Sequence, residues 1–394
     1  MVTLNTAENA LKTVYLGVVS DILNLKTNPL YAKIKQSTKG VYGKEIKVLA
    51  PMGVNGGICA TSETGSLPKT SDGKYVNLTS TLKNLYGVIE ISDKAVRASQ
   101  SSSGAFVNLL NDEMERLIAA SAYNLSRMLY GNGTGLLTEI KGISTDKKTL
   151  TVEKIAPFIE GMVIDIYDQA TEALDSNGIG FRVVSVDRTS KKVTLDKQVT
   201  ISEVGKGGYH FVVQSSLNNE ITGIEALFDN NVTTLYGLAK ATYPLVKGYV
   251  KANFGAMSEV GVIAEMDNVE SISGGTPNFI TASTKARRKL QDVFITAKKP
   301  IQTMVVEGGF KAIDFYGVPF ISDKFINDDL MYLLNTDNFI MHQLCDWEWM
   351  SDEGGNVLTQ KAGYAAYSAT LVKYADLICN TPNAQCKVQG ISIT

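Results

Sequence analysis

Hydrophobic residues recur every three or four positions in two stretches near the start of the chain, which predicts two amphipathic helices. The first covers residues 3–24 and the second covers about 102–130. At the α-helical rise of about 1.5 Å per residue the second helix would be about 42 Å long. Gly131 and Gly133 then supply a helix stop. Because a lone helix is marginal in water, we expect its apolar stripe to pack on a sheet. The stripe consists of Phe106, Leu110, Met114, Leu117, Leu125 and Met128.

A long polar arm, residues 44–91, lies between the two helices. It is rich in glycine, has a Ser/Thr-rich middle at 61–66, and ends in a strand-like run at 85–92. Such an arm cannot bury enough apolar surface to hold one conformation as a free loop. We therefore expect it to lie on another surface, such as a neighbouring copy of the chain. The arm indicates assembly rather than catalysis.

Short strand-like runs separated by turns dominate residues 142–218. The runs at 181–186 and 192–195 flank a polar turn, which predicts a β-hairpin. A further turn and strand follow at 205–213. Several short strands with turn signals between them are typical of a small β-barrel, here inserted into the chain.

The remainder of the chain mixes helix and strand patterns. Residues 283–294 predict a helix, and strand patterns recur at 317–322, 331–334, 369–374 and 386–391. Together these patterns predict an α+β protein.

Length and composition narrow the class further. With 394 residues the chain exceeds one typical domain, so we expect two or more cores. A content of 44% hydrophobic and 20% charged residues is ordinary for a soluble globular protein and disfavours disordered and membrane classes. No apolar run approaches the roughly 18 residues of a membrane span, and the first residues do not resemble a secretion signal. We expect a protein made in a cytoplasm.

The formal net charge of −2 gives no global electrostatic signature of nucleic-acid binding. Charge is nevertheless uneven, because residues 1–50 contain seven lysines against three acidic residues. Basic side chains here and on the 283–294 helix could contact DNA or a subunit boundary, although solvated helix faces explain them equally well. These candidates are Lys12, Lys33, Lys35, Arg287 and Arg288.

Candidate catalytic and metal-binding chemistry is sparse. His342 and Cys345 could begin a zinc site, but Cys379 and Cys386 have the wrong spacing to complete a zinc knuckle. No P-loop and no G-x-S-x-G nucleophile elbow occurs. Four cysteines in a chain of this length argue against a disulfide framework. We therefore expect no cofactor, no metal and no enzymatic activity, and we expect Trp347 and Trp349 to lie in a core or a subunit contact.

Three features in order resemble the major capsid proteins of tailed bacteriophages, which have the HK97-like fold. The first is the unit of arm and long helix, and the second is the run Gly317-Val318-Pro319-Phe320 followed by Met331-Tyr332-Leu333. The third is the closing segment that contains Asn380-Thr381-Pro382. The resemblance implies an N-terminal arm, an extended loop, a P-domain with a spine helix, an A-domain and a β-barrel-like insertion domain. In numbers, it implies an N-terminal arm at 1–43, the extended loop at 44–91, the P-domain at 92–141 with spine helix 102–130, the insertion at 142–218, the A-domain at 219–299, P-domain strands at 300–365, and a return to the A-domain at 366–394.

The resemblance also implies a function. The chain would assemble into hexamers and pentamers of an icosahedral head around double-stranded DNA, within a virion assembled in a bacterial host cytoplasm. Its partners would be itself, a scaffolding protein, a portal, a decoration protein and DNA held without sequence specificity, with no membrane. An encapsulin-like shell that stores a cargo enzyme is the alternative. The candidate assembly-interface residues are Lys69, Lys74, Tyr75, Phe106, Leu110, Met114 and Leu117.

The sequence departs from the family pattern in two respects. No long charged helical segment precedes the arm, so we expect a separate scaffold or a processed chain. The self-crosslinking of some members needs a Lys, an Asn and a Glu, and these partners cannot be aligned here.

Overall fold

The computed structural model describes residues 28–53, 55–69, 73–94, 103–175, 177–201, 208–351, 355 and 357–393. The helix predicted over 3–24 lies outside the described residues.

The first described part of the chain forms a long hairpin and then a strand that precedes the long helix. Its elements are α1 (Pro29–Lys33), β1 (Lys35–Ser37), β2 (Val41–Tyr42), β3 (Glu45–Met52), β4 (Lys74–Thr81), β5 (Lys83–Ser92) and α2 (Ser103–Leu129). Helix α2 confirms the predicted long helix. The described part of its apolar stripe is buried, because Met114, Leu125 and Met128 lie in the main core. The helix packs on β5 at Gly87, where a Cβ would stand 2.9 Å from Leu117 Cδ1.

The next part forms the predicted β-rich unit. Its strands are β6 (Leu136–Ile143), β7 (Thr149–Val152), β8 (Val163–Asp168), β9 (Ala173–Leu174), β10 (Phe181–Asp187), β11 (Lys192–Leu195) and β12 (Tyr209–Val213). Pairings run β6–β7–β11–β10–β8–β12 and return to β6, so six strands close into a barrel, with β9 beside β8. The predicted hairpin is present as β10–β11. The barrel has its own hydrophobic core, which includes Phe158, Ile166 and Phe211.

The third part alternates helices and strands. Its elements are α3 (Glu225–Phe228), β13 (Thr234–Leu235), β14 (Leu238–Ala239), β15 (Tyr249–Lys251), β16 (Gly255–Ala256), α4 (Glu259–Ser273), β17 (Phe279–Ala282), α5 (Thr284–Thr296), β18 (Thr303–Val306), β19 (Phe310–Phe315), β20 (Val318–Ser322) and β21 (Met331–Leu334). Helix α5 confirms the helix predicted over 283–294. It begins after Ser283, whose side chain accepts a hydrogen bond from Ala286 N, as an N-cap serine does.

The last part supplies the longest strands. Its elements are β22 (Phe339–Trp349), β23 (Thr359–Gln360), β24 (Ala366–Cys379), β25 (Cys386–Val388) and β26 (Ile391–Ser392). Short 3₁₀ helices lie at Pro244–Val246, Glu307–Gly309, Thr336–Asn338 and Pro382–Ala384.

Two large sheets organise the body outside the barrel. In the first, β24 lies antiparallel between β22 and β5, while β1 extends the sheet beyond β22 and β23 pairs with one end of β24. The second has seven strands in the order β15–β25–β21–β17–β20–β19–β18. Helices α4 and α5 pack on this second sheet through a separate core that contains Val262, Leu290 and Phe320.

These pairings divide the chain differently from the sequence expectation. Residues 300–365 were expected with the long helix, but β18–β21 lie in the seven-stranded sheet with β15 and β17. Residues 366–394 were expected in the other unit, but β24 lies beside β5, and β25 alone of this segment's described strands lies in the seven-stranded sheet. The arm expected over 44–91 is divided too, because β3 and β4 form the hairpin whereas β5 is a sheet strand. Strand pairing over such separations leaves no local pattern, so sequence periodicity does not reveal it.

Candidate functional site

The hairpin of β3 and β4 is a two-stranded ribbon whose edges pair with other described strands only near its base. Its strands pair from Glu45 with Thr81 to Met52 with Lys74. At the base, β2 pairs with the start of β3, and Thr79 N donates a hydrogen bond to Tyr236 O. Farther out, no other described strand pairs with either edge. An isolated two-stranded ribbon is marginally stable in water, so the outer part of this hairpin needs another surface.

The two faces of the hairpin differ in burial. Ile46, Ala50 and Leu78 on the inner face are buried in the main core. On the outer face Leu49 is 61% exposed and Tyr75 is 64% exposed. The hairpin therefore presents apolar side chains that nothing in the described chain covers, which is the feature expected of a contact with another molecule.

The connection between β3 and β4 is also exposed wherever it is described. Ile58 and Leu67 are among the most exposed large apolar side chains, and the predicted interface residue Lys69 is exposed. Lys74 lies in β4, but its side chain is outside the described residues. Tyr75, Lys69 and the loop thus lie on one projecting element, as the sequence predicts.

At its base the hairpin is bound to the body by a buried carboxyl group. Asp376 of β24 is fully buried and accepts hydrogen bonds from Ser80 Oγ of β4 and from Thr222 N and Oγ1, at 2.7 and 3.0 Å for Thr222. Burial raises the pKa of Asp376, while the hydrogen bonds from Ser80 and Thr222 oppose that rise. This network joins the hairpin, the sheet and the segment that follows the barrel.

Tyr236 makes a second link between the hairpin and the same strand. Its carbonyl accepts the hydrogen bond from Thr79 N, and its hydroxyl donates to Leu377 O at 3.3 Å and accepts from Cys379 N at 3.1 Å. Tyr236 and Gly237 both have positive φ, of 51° and 77°, as the two central residues of a type I′ hairpin turn do.

The helix residues predicted for the assembly interface behave differently. Met114 is 1% exposed and Leu117 packs against the main core. Met114 therefore has no exposed surface to offer another copy, because an apolar helical stripe packs first on its own sheet, whereas an interface role for the half-buried Leu117 stays a prediction. The side chains of Phe106 and Leu110 lie outside the described residues.

The basic candidates do not form one described cluster. Lys35 pairs with Asp337 at 3.3 Å at the surface, and Lys33 is half-buried at the end of α1. On α5, Arg288 is exposed, whereas Arg287 is half-buried. Lys12 lies outside the described residues. A role for these side chains in binding DNA stays a prediction.

The described residues contain no group of three His, Cys, Asp or Glu side chains placed to hold a metal ion. His342 Nδ1 is 2.8 Å from Lys39 O, and burial lowers the pKa of this imidazole. Cys379 and Cys386 are free and buried, and burial raises the pKa of each thiol. Trp347 and Trp349 are buried in the main core, which confirms the first of the two predicted locations. None of the described helices is long and apolar enough to cross a membrane.

Sequence reasoning missed Ser80, Thr222, Tyr236 and Asp376. The one available signal is Asp376 itself, an acidic residue in an otherwise apolar run, Ala375-Asp376-Leu377-Ile378. A buried acid needs hydrogen-bond partners, but their identity depends on contacts between residues far apart in the chain.

Comparison with known proteins shows the fold. No protein-family profile and no curated protein matches the chain. The cyanophage A-1(L) capsid protein aligns with a TM-score of 0.53 at 11% identity, covering 97% of this chain and 93% of that one. The capsid of a native GTA particle gives a TM-score of 0.47 at 10% identity over 93% of this chain and 91% of the other. The encapsulin of Synechococcus elongatus PCC 7942 gives 0.41 at 12% identity, over 82% and 79%. The chain has the fold of the cyanophage capsid protein, which confirms the expected α+β, HK97-like capsid fold.

Proposed function

We propose that this chain is the major capsid protein of a tailed double-stranded DNA bacteriophage. Two observations support the proposal: the fold that the chain shares with the cyanophage capsid protein over nearly its whole length, and the projecting hairpin. The hairpin carries the argument, because its open edges and exposed Leu49 and Tyr75 need a surface that the described part of the chain does not provide.

The proposed mechanism is geometric. The hairpin and the N-terminal arm, residues 1–43, lie across neighbouring copies, and the unit with the seven-stranded sheet acts as the A-domain that forms hexamer and pentamer rings. The unit of α2, β5, β22 and β24 acts as the P-domain that contacts the next ring, and the barrel is the insertion domain. Each interface is modest, but many interfaces around a closed shell add through multivalency.

The same proposal covers the partners. A scaffolding protein, a portal and a decoration protein assemble with the shell in the bacterial host cytoplasm. Packaged DNA contacts the inner surface through sequence-independent charge interactions, for which Lys33, Lys35, Arg287 and Arg288 are the described candidates. This role is structural and requires no catalytic residue.

The loop of the hairpin provides the test. Met52 and Lys74 face each other across the ribbon, so residues 53–73 can be replaced by Asn-Gly, which closes a two-residue hairpin turn. We expect the variant to fold with the wild-type circular dichroism spectrum and thermal midpoint but to form no closed shells in electron micrographs. Normal shells from this variant would contradict the role assigned to the loop.

An encapsulin-like shell has the same fold, and no observation on this chain favours it. The contents of shells purified from the native source distinguish the two functions. Packaged DNA supports the phage capsid, whereas a single co-purified cargo enzyme without DNA would support the encapsulin.

A further inference from the structure

The geometry points to Asp376 as the positioning residue that fixes the direction in which the hairpin leaves the body. Its consequence for shell formation rests on the proposed function, but the effect on the hairpin itself does not.

Three segments meet at this carboxyl group. Ser80 lies at the body end of β4, Thr222 lies in the segment after the barrel, and Asp376 lies on β24. Ser80 and Asp376 are separated by 296 residues, so their bond joins the hairpin directly to the central strand of the first sheet. Because Asp376 is fully buried, water cannot replace these hydrogen bonds without opening the site.

The contacts around Ser80 hold the base of the hairpin in one orientation relative to the body. Leu82 N donates to Lys44 O within the base, and Lys83 Nζ donates to Asn218 O at 3.0 Å. Thr79 is bound to Tyr236 O, and a Cβ on Gly237 would stand 2.4 Å from Thr79 Oγ1, so the fit here is close. These contacts surround Ser80, whereas the outer half of the ribbon has unpaired edges.

A small change of tilt at this base becomes a larger displacement farther out along the hairpin. Tyr75 lies five strand residues from Ser80, a lever of about 17 Å at about 3.3 Å per residue, so a tilt of about 7° moves Tyr75 by about 2 Å. Packed interfaces between copies do not absorb displacements of that size. The hydrogen bond from Ser80 to Asp376 therefore controls where Leu49 and Tyr75 meet a neighbouring copy.

The chain offers a matched control in Asp323. This carboxyl is also buried, its pKa is also raised by burial, and it accepts hydrogen bonds from Asn28 Nδ2 and Phe325 N, but it makes no contact with the hairpin. A general loss of stability from changing a buried carboxyl should appear in both variants. A change in hairpin direction should appear only in the Asp376 variant.

The experiment measures a distance between the hairpin and the body in the full chain. Spin labels are placed at Tyr75→Cys on β4 and Val184→Cys on the barrel, both exposed positions, in a background with Cys59→Ser and Cys345→Ser. Double electron–electron resonance then gives the distance distribution for the parent and for Asp376→Ala, Ser80→Ala and Asp323→Ala. We expect a shift of about 2 Å or more, or a broader distribution, in the Asp376 and Ser80 variants, and the parent distribution in Asp323→Ala.

Ser80→Ala keeps the test decisive, because it removes one hydroxyl from the hairpin side and leaves the carboxyl bound to Thr222. If Asp376→Ala does not fold, the Ser80→Ala distribution alone gives the answer. A parent-like distribution in Ser80→Ala, or a shift of equal size in Asp323→Ala, would overturn the inference. Electron microscopy of the wild type and of the same variants, with native cysteines and no labels, separates the two proposals. A wild type that does not assemble would contradict the proposed function, whereas the spin-label distances would still test the role of Asp376.

Discussion

Arg127 and Glu220 form a buried ion pair that binds the end of the long helix to the segment after the barrel. The two side chains are 8% and 2% exposed, and Arg127 Nη1 donates to Glu220 Oε2 at 2.9 Å. Arg127 also donates to Asn124 Oδ1 from the same helix. The guanidinium thus has fixed partners on two sides, and the carboxylate of Glu220 compensates its buried positive charge.

We predict that Glu220→Ala destabilises the fold by about 3–5 kcal/mol, because it leaves the Arg127 charge buried without its partner. Denaturant unfolding of the purified protein measures this free energy. The control is Asp337→Ala, which breaks the surface pair of Lys35 and Asp337, whose side chains are each 68% exposed, and should cost about 1 kcal/mol or less. Equal losses in the free energy of unfolding of the two variants would show that the buried pair of Arg127 and Glu220 contributes no more to stability than the surface pair.

At the scale of single residues, the sequence predicts which side chains are exposed or apolar but not which distant residues contact each other. Tyr75 and Lys69 could be placed on the projecting arm, because a glycine-rich polar stretch without a core indicates exposure. Met114 and Leu117 could be recognised as an apolar stripe, but the stripe does not tell whether it faces the chain's own sheet or another molecule. Ser80 and Asp376 could not be paired, because their contact exists only after the hairpin and β24 have come together.

At the scale of elements, the periodicity of the sequence predicted individual helices and strands but not which strands pair with each other. Helices α2 and α5 and the β10–β11 hairpin follow from local patterns that fix each of them within a short stretch. The two large sheets do not, because β17 lies between β20 and β21, and β5 pairs with β24 from the other end of the chain. Such pairings depend on tertiary packing rather than on local preference.

The barrel is the element with the most independence. Its six strands close into a ring, so it has no open edge along that ring. Its core is separate from the main core, and its first and last strands, β6 and β12, are paired neighbours. A core of its own and chain ends that lie close together are features of a domain that can fold alone.

We therefore predict that residues 134–216 fold alone, with a cooperative thermal transition in circular dichroism. Phe211→Ala in this fragment should lower the free energy of unfolding by about 3–5 kcal/mol, because Phe211 is fully buried and packs edge-to-face on Phe158. A fragment without a cooperative transition would show that the barrel needs the rest of the chain.

At the scale of the whole molecule, the chain combines two self-contained cores with a hairpin whose outer part has no partner among the described residues. The barrel and the seven-stranded sheet complete their cores within the chain, whereas the outer hairpin leaves Leu49 and Tyr75 exposed. A monomer in solution gains nothing from such a projection. In the proposed shell each copy would receive the hairpin of one neighbour and extend its own to another, which is a heterologous contact of the kind that closes into rings.

Electron microscopy of the purified full-length chain, alone and co-expressed with the gene next to its own, tests this central claim most directly. The account predicts closed polyhedral shells, or six-fold and five-fold rings, in at least one of the two preparations. A uniform population of monomers in both preparations would contradict it.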